Sequence, residues 1–279
     1  MSFTAEDVKK LREKTGVGMM VCKEALTSSK GNVEEAVEYL RKKGLAMAEK
    51  KSGRATADGL IGVEIAPDGK TAVMIEVNCE TDFVAKTEQF KELVKKLSQW
   101  ALAQGKGSTT AADLSPELVE QVKQTIAKLG ENLQYKRGEK IQSQTGLVEG
   151  YLHLGSKLGV LVALDGGNSP EIKALGRDLA MQVAASSPQW LSRKQVPAEV
   201  IDKEKAIYQE QVRGAGKPEN VVEKIVTGKI EKFYSEVCLL EQAYVKDPQK
   251  SVEAIVRETA AKAGATLEVN RFIRFRLGE

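Results

Sequence analysis

The reactive inventory of this chain is small. It holds one histidine, His153, and three cysteines, Cys22, Cys79 and Cys238, far apart and without a CxxC spacing. Zinc sites and Ser-His or Cys-His relays need several such groups to converge, and one imidazole does not supply them. His153 lies in the alternating segment Tyr151-Leu152-His153-Leu154 with no paired carboxylates nearby, so it reads as a structural or interface residue rather than a general base. Gly105-Lys106-Gly107-Ser108 and Gly166-Gly167 are the loops that most resemble phosphate cradles. Neither follows the GxxxxGKS/T spacing or runs from a strand into a helix, and both read as ordinary loops. The odd, scattered cysteines fit reduced cytosolic thiols. No cofactor, no metal and no direct nucleotide binding is expected, and the inventory points to a protein that works by binding rather than by covalent chemistry.

Composition narrows the classes further. The 279 residues carry 42 Lys+Arg against 39 Asp+Glu, a formal charge of +3, too small an excess to mark a nucleic-acid protein. Aromatics are 5%, too few for base-stacking platforms. Charged residues at 29% and apolar ones at 42% fit a folded globular chain of about two domains. No stretch approaches the roughly 20 apolar residues of a membrane span. The sequence enters an amphipathic helix pattern at once, so a signal or transit peptide is not expected and a bacterial cytoplasmic location is.

The elements that position these residues divide the chain into 1–45, a linker at 46–58, 59–145 and 146–279. In the first stretch, Val8 and Leu11 begin a helix closed by Thr15-Gly16-Val17-Gly18, and Met19 to Leu26 form a second. Asn32 caps a third, with Glu35 three residues on, an apolar face of Val33, Ala36, Val37 and Leu40, and Gly44 as its stop. Residues 45–58 lose the apolar period and read as a linker, partly helical. Period-two patterning then predicts strands at Leu60–Ile65 and Ala72–Val77 around the turn Pro67-Asp68-Gly69. A helix is expected from about Asp82 to Gln104, with Phe90, Leu93, Val94, Leu97 and Ala101 on one face. Another is opened by Ser115-Pro116 and runs to Leu129.

Gly146-Leu147-Val148 and Val160-Leu161-Val162 repeat Gly59-Leu60-Ile61 and Val73-Met74-Ile75 at a shared offset of 87 residues, and a helix at about Ile172 to Ala185 follows. This spacing implies a duplicated hairpin-plus-helix unit. From about 196 to 238 two helical stretches flank Arg213-Gly214-Ala215-Gly216-Lys217-Pro218, an antiparallel helical hairpin of coiled-coil type expected to protrude. A helix from Val252 to Ala263 and a strand from Leu267 to Leu277 close the chain. The fold class is α+β: a three-helix N-terminal module, a duplicated antiparallel β-hairpin/helix core and a protruding helical hairpin.

Two segments carry functional information. Asn78-Cys79-Glu80-Thr81-Asp82-Phe83-Val84 sits where a strand turns into a helix. Thr81 or Asp82 can cap that helix, and Phe83, seven residues before Phe90, can join its buried face; alternatively, Phe83 is an exposed anchor on a rigid turn. Met19-Met20, after a glycine loop, read first as core residues and second as a binding patch.

Leu11-Arg12-Glu13-Lys14-Thr15-Gly16-Val17-Gly18-Met19-Met20-Val21-Cys22-Lys23-Glu24-Ala25-Leu26 resembles the N-terminal signature of the translation elongation factor Ts family. Asn78 to Ala85 resembles that family's second signature, centred on Thr-Asp-Phe-Val. Tyr151 with His153, and Phe272-Ile273-Arg274-Phe275, are similar to further family positions. The resemblance runs along essentially the whole chain. It implies a guanine-nucleotide exchange factor, not an enzyme in the chemical sense, whose partner is elongation factor Tu. It also implies a ubiquitin-associated-like N-terminal module. Thr81, Asp82, Phe83 and Val84 would form the segment that dislocates the partner's Mg²⁺, with Phe83 as the wedge. Arg12, Met19, Met20, Lys23 and His153 would be further partner contacts. Two departures are visible: Glu80 stands where many members carry Gln or Ser, an added charge expected to tune affinity, and the sequence stops at Gly278-Glu279 where several members continue into a helix. The alternative reading, an RNA-binding accessory protein, draws on Lys50, Lys51, Arg54 and the 213–232 region, but Glu219, Glu223 and Glu231 interrupt that charge.

Overall fold

Two apolar stretches flank the turn Pro67-Asp68-Gly69, as a hairpin requires, and the computed structural model, which describes residues 3–213 and 218–279, contains it. Strands β1 (Asp58–Ile65) and β2 (Thr71–Cys79) pair antiparallel, with Ile65 opposite Ala72. Two further strands, β3 (Ser108–Thr109) and β4 (Leu133–Gln142), complete a sheet of order β1-β2-β4-β3. Neither is foreseen from the sequence. In β4 the register against β2 shifts between Glu76 and Val77, so Lys136 is extra; Leu133 and Tyr135 face the helices, whereas Ile141 faces the opposite way. That bulge breaks the alternation by which a strand is recognised.

A second sheet repeats the plan. Strands β5 (Leu147–Leu152), β6 (Leu158–Asp165) and β9 (Glu268–Arg276) lie in the order β5-β6-β9, with the hairpin's second strand again central. The β6–β9 register shifts between Ala163 and Leu164, 87 residues beyond the bulge of the first sheet. Gly59 and Gly146 share that offset, and a Cβ on either would collide with a facing carbonyl oxygen, of Val77 or of Leu164. The two sheets pack face to face through Ile61, Met74, Leu161, Ile273 and Phe275. Helices α5 (Glu88–Ala103) and α6 (Pro116–Leu129) cover the outer face of the first sheet, and α7 (Pro170–Ser186) and α10 (Val252–Ala263) that of the second. Because β2 and β6 are buried on both faces, they read as near-continuous apolar runs.

The N-terminal helices α1 (Ala5–Thr15), α2 (Met19–Ser28) and α3 (Val33–Lys51) enclose Val8, Leu11, Cys22, Ala25, Leu26, Ala36 and Leu40. Here the sequence expectation is corrected: α3 does not stop at Gly44 but runs to Lys51, so most of the expected linker's first half is helix. Gly44 is a contact point rather than a cap. A Cβ there would lie 2.8 Å from the Ala127 Cβ of α6, so glycine lets the two helices approach. Around it, Arg41 bonds Glu120 at 3.0 Å, Ala48 enters the first sheet's core, and the Lys51 ammonium donates to the Gly130 carbonyl.

The helix expected from Asp82 to Gln104 is likewise two helices. A short α4 (Asp82–Ala85) is capped by Thr81, and α5 starts afresh at Thr87, whose hydroxyl donates to the Val84 carbonyl and accepts from the Phe90 amide. Phe83 and Phe90 therefore share no face. Helices α8 (Ala198–Arg213) and α9 (Glu219–Val237) pack along a seam of Val212, Val222, Val226 and Ile230; residues 214–217 of the expected connecting loop lie outside the described residues. A small hairpin of β7 (Ala243–Tyr244) and β8 (Asp247–Ser251), also unforeseen, follows.

Candidate functional site

The segment Thr81–Val84 leaves β2 at a corner held from three directions. The Thr81 amide and hydroxyl both donate to the Glu131 carboxylate, at 2.9 and 2.6 Å, while the same hydroxyl accepts from the Val84 amide. The Glu80 carboxylate accepts the Asn132 amide at 2.7 Å and faces Arg54 at 3.5 Å. The Asn132 side chain donates to the Ser52 and Arg54 carbonyls. Glu80 thus ties the corner to the loop at Asn132. Its carboxyl is held below the usual range, chiefly by that backbone hydrogen bond.

This frame decides where each side chain of the corner goes. Val84 and Ala85 are buried in the core under the first sheet, and Phe83 is 78% exposed. A large ring this exposed on a turn held this firmly is suited to enter an apolar pocket. Asp82 pairs with Lys86 at 2.6 Å, and that hydrogen bond lowers its carboxyl below the ordinary aspartate value; the Lys86 ammonium stands 5.9 Å from the Phe83 ring. Cys79, immediately before the corner, is no nucleophile. Burial, with the charges of Asp58 and Glu131, pushes its thiol up to about 12.

A second exposed turn flanks the corner. His153 is exposed at the end of β5, with its Nδ1 2.8 Å from the Tyr151 hydroxyl. The following Leu154 is 91% exposed, and Leu152 is exposed as well. Gly155 and Ser156 take left-handed conformations (φ 80° and 52°), which hold the turn in shape. Lys157 ties it to Asp58 at 3.1 Å, and Asp58 is the register partner of Cys79. Leu152 and Leu154 escaped the sequence reading, where an alternating strand pattern hid them. A leucine beside Gly155-Ser156, at a position where turns are usually polar, was the available signal.

Met19 and Met20 correct the core expectation. Cys22, Ala25 and Leu26 face inward, which turns Met20 and Lys23 to solvent and leaves Met19 partly so. Arg12 on α1 is exposed too. These four residues therefore belong to the N-terminal helices' surface, separate in the chain from the Phe83 corner. No group of three or more His, Cys, Asp or Glu among the described residues is arranged to hold a metal ion, and no described helix is long and apolar enough to cross a membrane.

Comparison with known proteins bears on the whole of this surface. A family model described as "Elongation factor TS" matches residues 80–279, which start at the Phe83 corner. A protein of Prosthecochloris aestuarii named "Elongation factor Ts" is 45% identical over 99% of this chain and 99% of its own length. Proteins of the same name from Halothermothrix orenii and a Nostoc species are 43% and 46% identical, covering 100% and 99% of this chain and 93% of their own lengths. With likeness of this strength along nearly its full length, the chain belongs to the elongation factor Ts family.

Proposed function

We propose that this chain promotes GDP release from elongation factor Tu in the bacterial cytoplasm by inserting Phe83 near the GTPase's Mg²⁺ and phosphate site. The observation that carries this reading is the 78% exposed ring on a corner whose every other side chain is anchored. Mg²⁺ requires near-octahedral coordination, so a small displacement of its ligands and waters weakens nucleotide binding sharply. Thr81 sets the start of the turn, Val84 roots it in the core, Phe83 is the wedge, and Asp82 adds a carboxylate at its foot. Arg12, Met19, Met20, Lys23 and His153 make further contacts with the GTPase, joined by Leu152 and Leu154.

The logic is linkage, not bond chemistry. A factor that lowers nucleotide affinity by some ratio has its own affinity lowered by nucleotide in the same ratio, so it stabilises the empty GTPase and departs when GTP arrives. On this reading residues 1–45 form a ubiquitin-associated-like module, 46–58 its arm to the core, and 59–145 and 146–279 the two duplicated halves, the second carrying the hairpin at about 196–238. The RNA-binding alternative loses support because two of its three arm residues are engaged within the chain: Lys51 on the Gly130 carbonyl and Arg54 on Glu80.

The test is release of a fluorescent GDP from elongation factor Tu, with and without this protein, across Mg²⁺ concentrations. Strong acceleration that shrinks at very low Mg²⁺ is expected. No acceleration by folded protein refutes exchange, and acceleration independent of Mg²⁺ refutes the magnesium part.

A further inference from the structure

Exposure makes Phe83 available, but what keeps it in one place is a residue outside the signature. Helix α4 is only four residues long, far too short to hold itself together in water. Its start depends on Thr81, whose hydroxyl caps Val84 and so orients the turn that carries Phe83. Thr81 in turn has both its amide and its hydroxyl on one carboxylate, Glu131, 50 residues further along the chain. This two-pronged, charge-assisted contact fixes the Thr81 backbone and the direction of its hydroxyl together.

Glu131 is itself held on both sides. Gly130 before it caps α6 in a left-handed conformation and accepts from Lys51. Asn132 after it is buried, takes Glu80 on its amide, and bonds the Ser52 and Arg54 carbonyls with its side chain. The 130–132 loop therefore joins three pieces that are distant in sequence: the end of α3, the end of α6 and the Phe83 corner.

We propose that Glu131 is a positioning residue for nucleotide exchange, holding the Thr81–Val84 turn so that Phe83 projects in its working direction. The inference rests on the reading of Phe83 as the wedge. Glu131 acts through Thr81 and need not touch the partner.

The experiment is a double-mutant cycle in GDP release from elongation factor Tu, using the full chain with Glu131→Ala, Glu131→Gln, Phe83→Ala and the Glu131→Ala/Phe83→Ala pair. Loss of the clamp is expected to lower the exchange rate at saturating factor by about ten- to a hundredfold, the scale of an ångström-level misplacement. Glu131→Gln, which keeps one acceptor oxygen for Thr81, is expected to fall between wild type and Glu131→Ala. It also serves as the readout if the alanine variant does not fold. In the Phe83→Ala background, Glu131→Ala is expected to cost nothing more, because its effect passes through the ring. Exchange at the wild-type rate by Glu131→Ala, with Phe83→Ala slow, overturns this proposal alone. Losses that multiply in the pair also overturn it, by showing an independent contact. A Phe83→Ala variant that exchanges normally overturns the wedge reading, and the proposal with it.

Discussion

Replacing Gly44 by alanine tests how the N-terminal module is mounted, because two known effects oppose each other there and the geometry says which wins. In a helix interior, Gly→Ala gains about 1 kcal/mol from backbone entropy and propensity. Against this, the new Cβ would stand 2.8 Å from the Ala127 Cβ, roughly 1 Å inside the usual carbon–carbon contact. α3 has no easy retreat, since Arg41 is bonded to Glu120 one turn before, and Ala48 and Lys51 are committed to the core and to Gly130 after. Overpacking of this kind costs about 1–3 kcal/mol, so the net effect is a docking weakened by up to about 2 kcal/mol.

The same chain supplies the control. Gly228 lies inside α9, and a Cβ there meets nothing within 4 Å. Gly228→Ala should therefore keep the whole propensity gain and raise the unfolding midpoint. Gly44→Ala should lower it and speed tryptic cleavage after Lys50, Lys51 and Arg54, whose backbone is less firmly held once the end of α3 lifts. Denaturant unfolding and timed proteolysis of the two variants and wild type measure both. If Gly44→Ala stabilises the protein as Gly228→Ala does, the close helix contact and the mounting argument built on it are refuted.

Two further outcomes are expected. Asp165 closes the turn before β5: burial opposes its charge, but the Ser143 hydroxyl, the Thr145 and Gln144 amides and Asn270 bring its carboxyl down to about 2. A folded-state value below the unfolded one of about 4 stabilises the protein above pH 4, and that contribution is lost as pH falls from about 4 to 2. Asp165→Asn should flatten this part of the stability–pH curve, and an unchanged slope would disprove the role. The thiols of Cys79 and Cys238 are pushed up to about 12 and about 11 by burial. Neither should react with an aromatic disulfide reagent at pH 8 until denaturant is added, and prompt reaction of the folded protein would contradict their burial.

What the sequence determined by itself is most of the helices and the two long hairpins of the core. The offset of 87 residues anticipates the repeated hairpin and following helix, because burial on both faces imposes the same apolar runs in β2 and β6; that the bulge recurs at this offset is seen only in the fold. Ser115-Pro116 marks the start of α6 correctly, since capping is decided by neighbours in the chain. Tertiary structure decided the rest. Whether Gly44 ends a helix or admits another depends on Ala127, 83 residues away. Strand β4 has no clear pattern of its own, because its bulge and register are set by β2. Met20 and Phe83 are apolar residues whose places are settled by which face their helix or turn must bury: Cys22, Ala25 and Leu26 in one case, Val84 and Ala85 in the other. The clamp on that turn, Glu131, lies 50 residues from Thr81, and only the fold of α6 back along the sheet brings the two together.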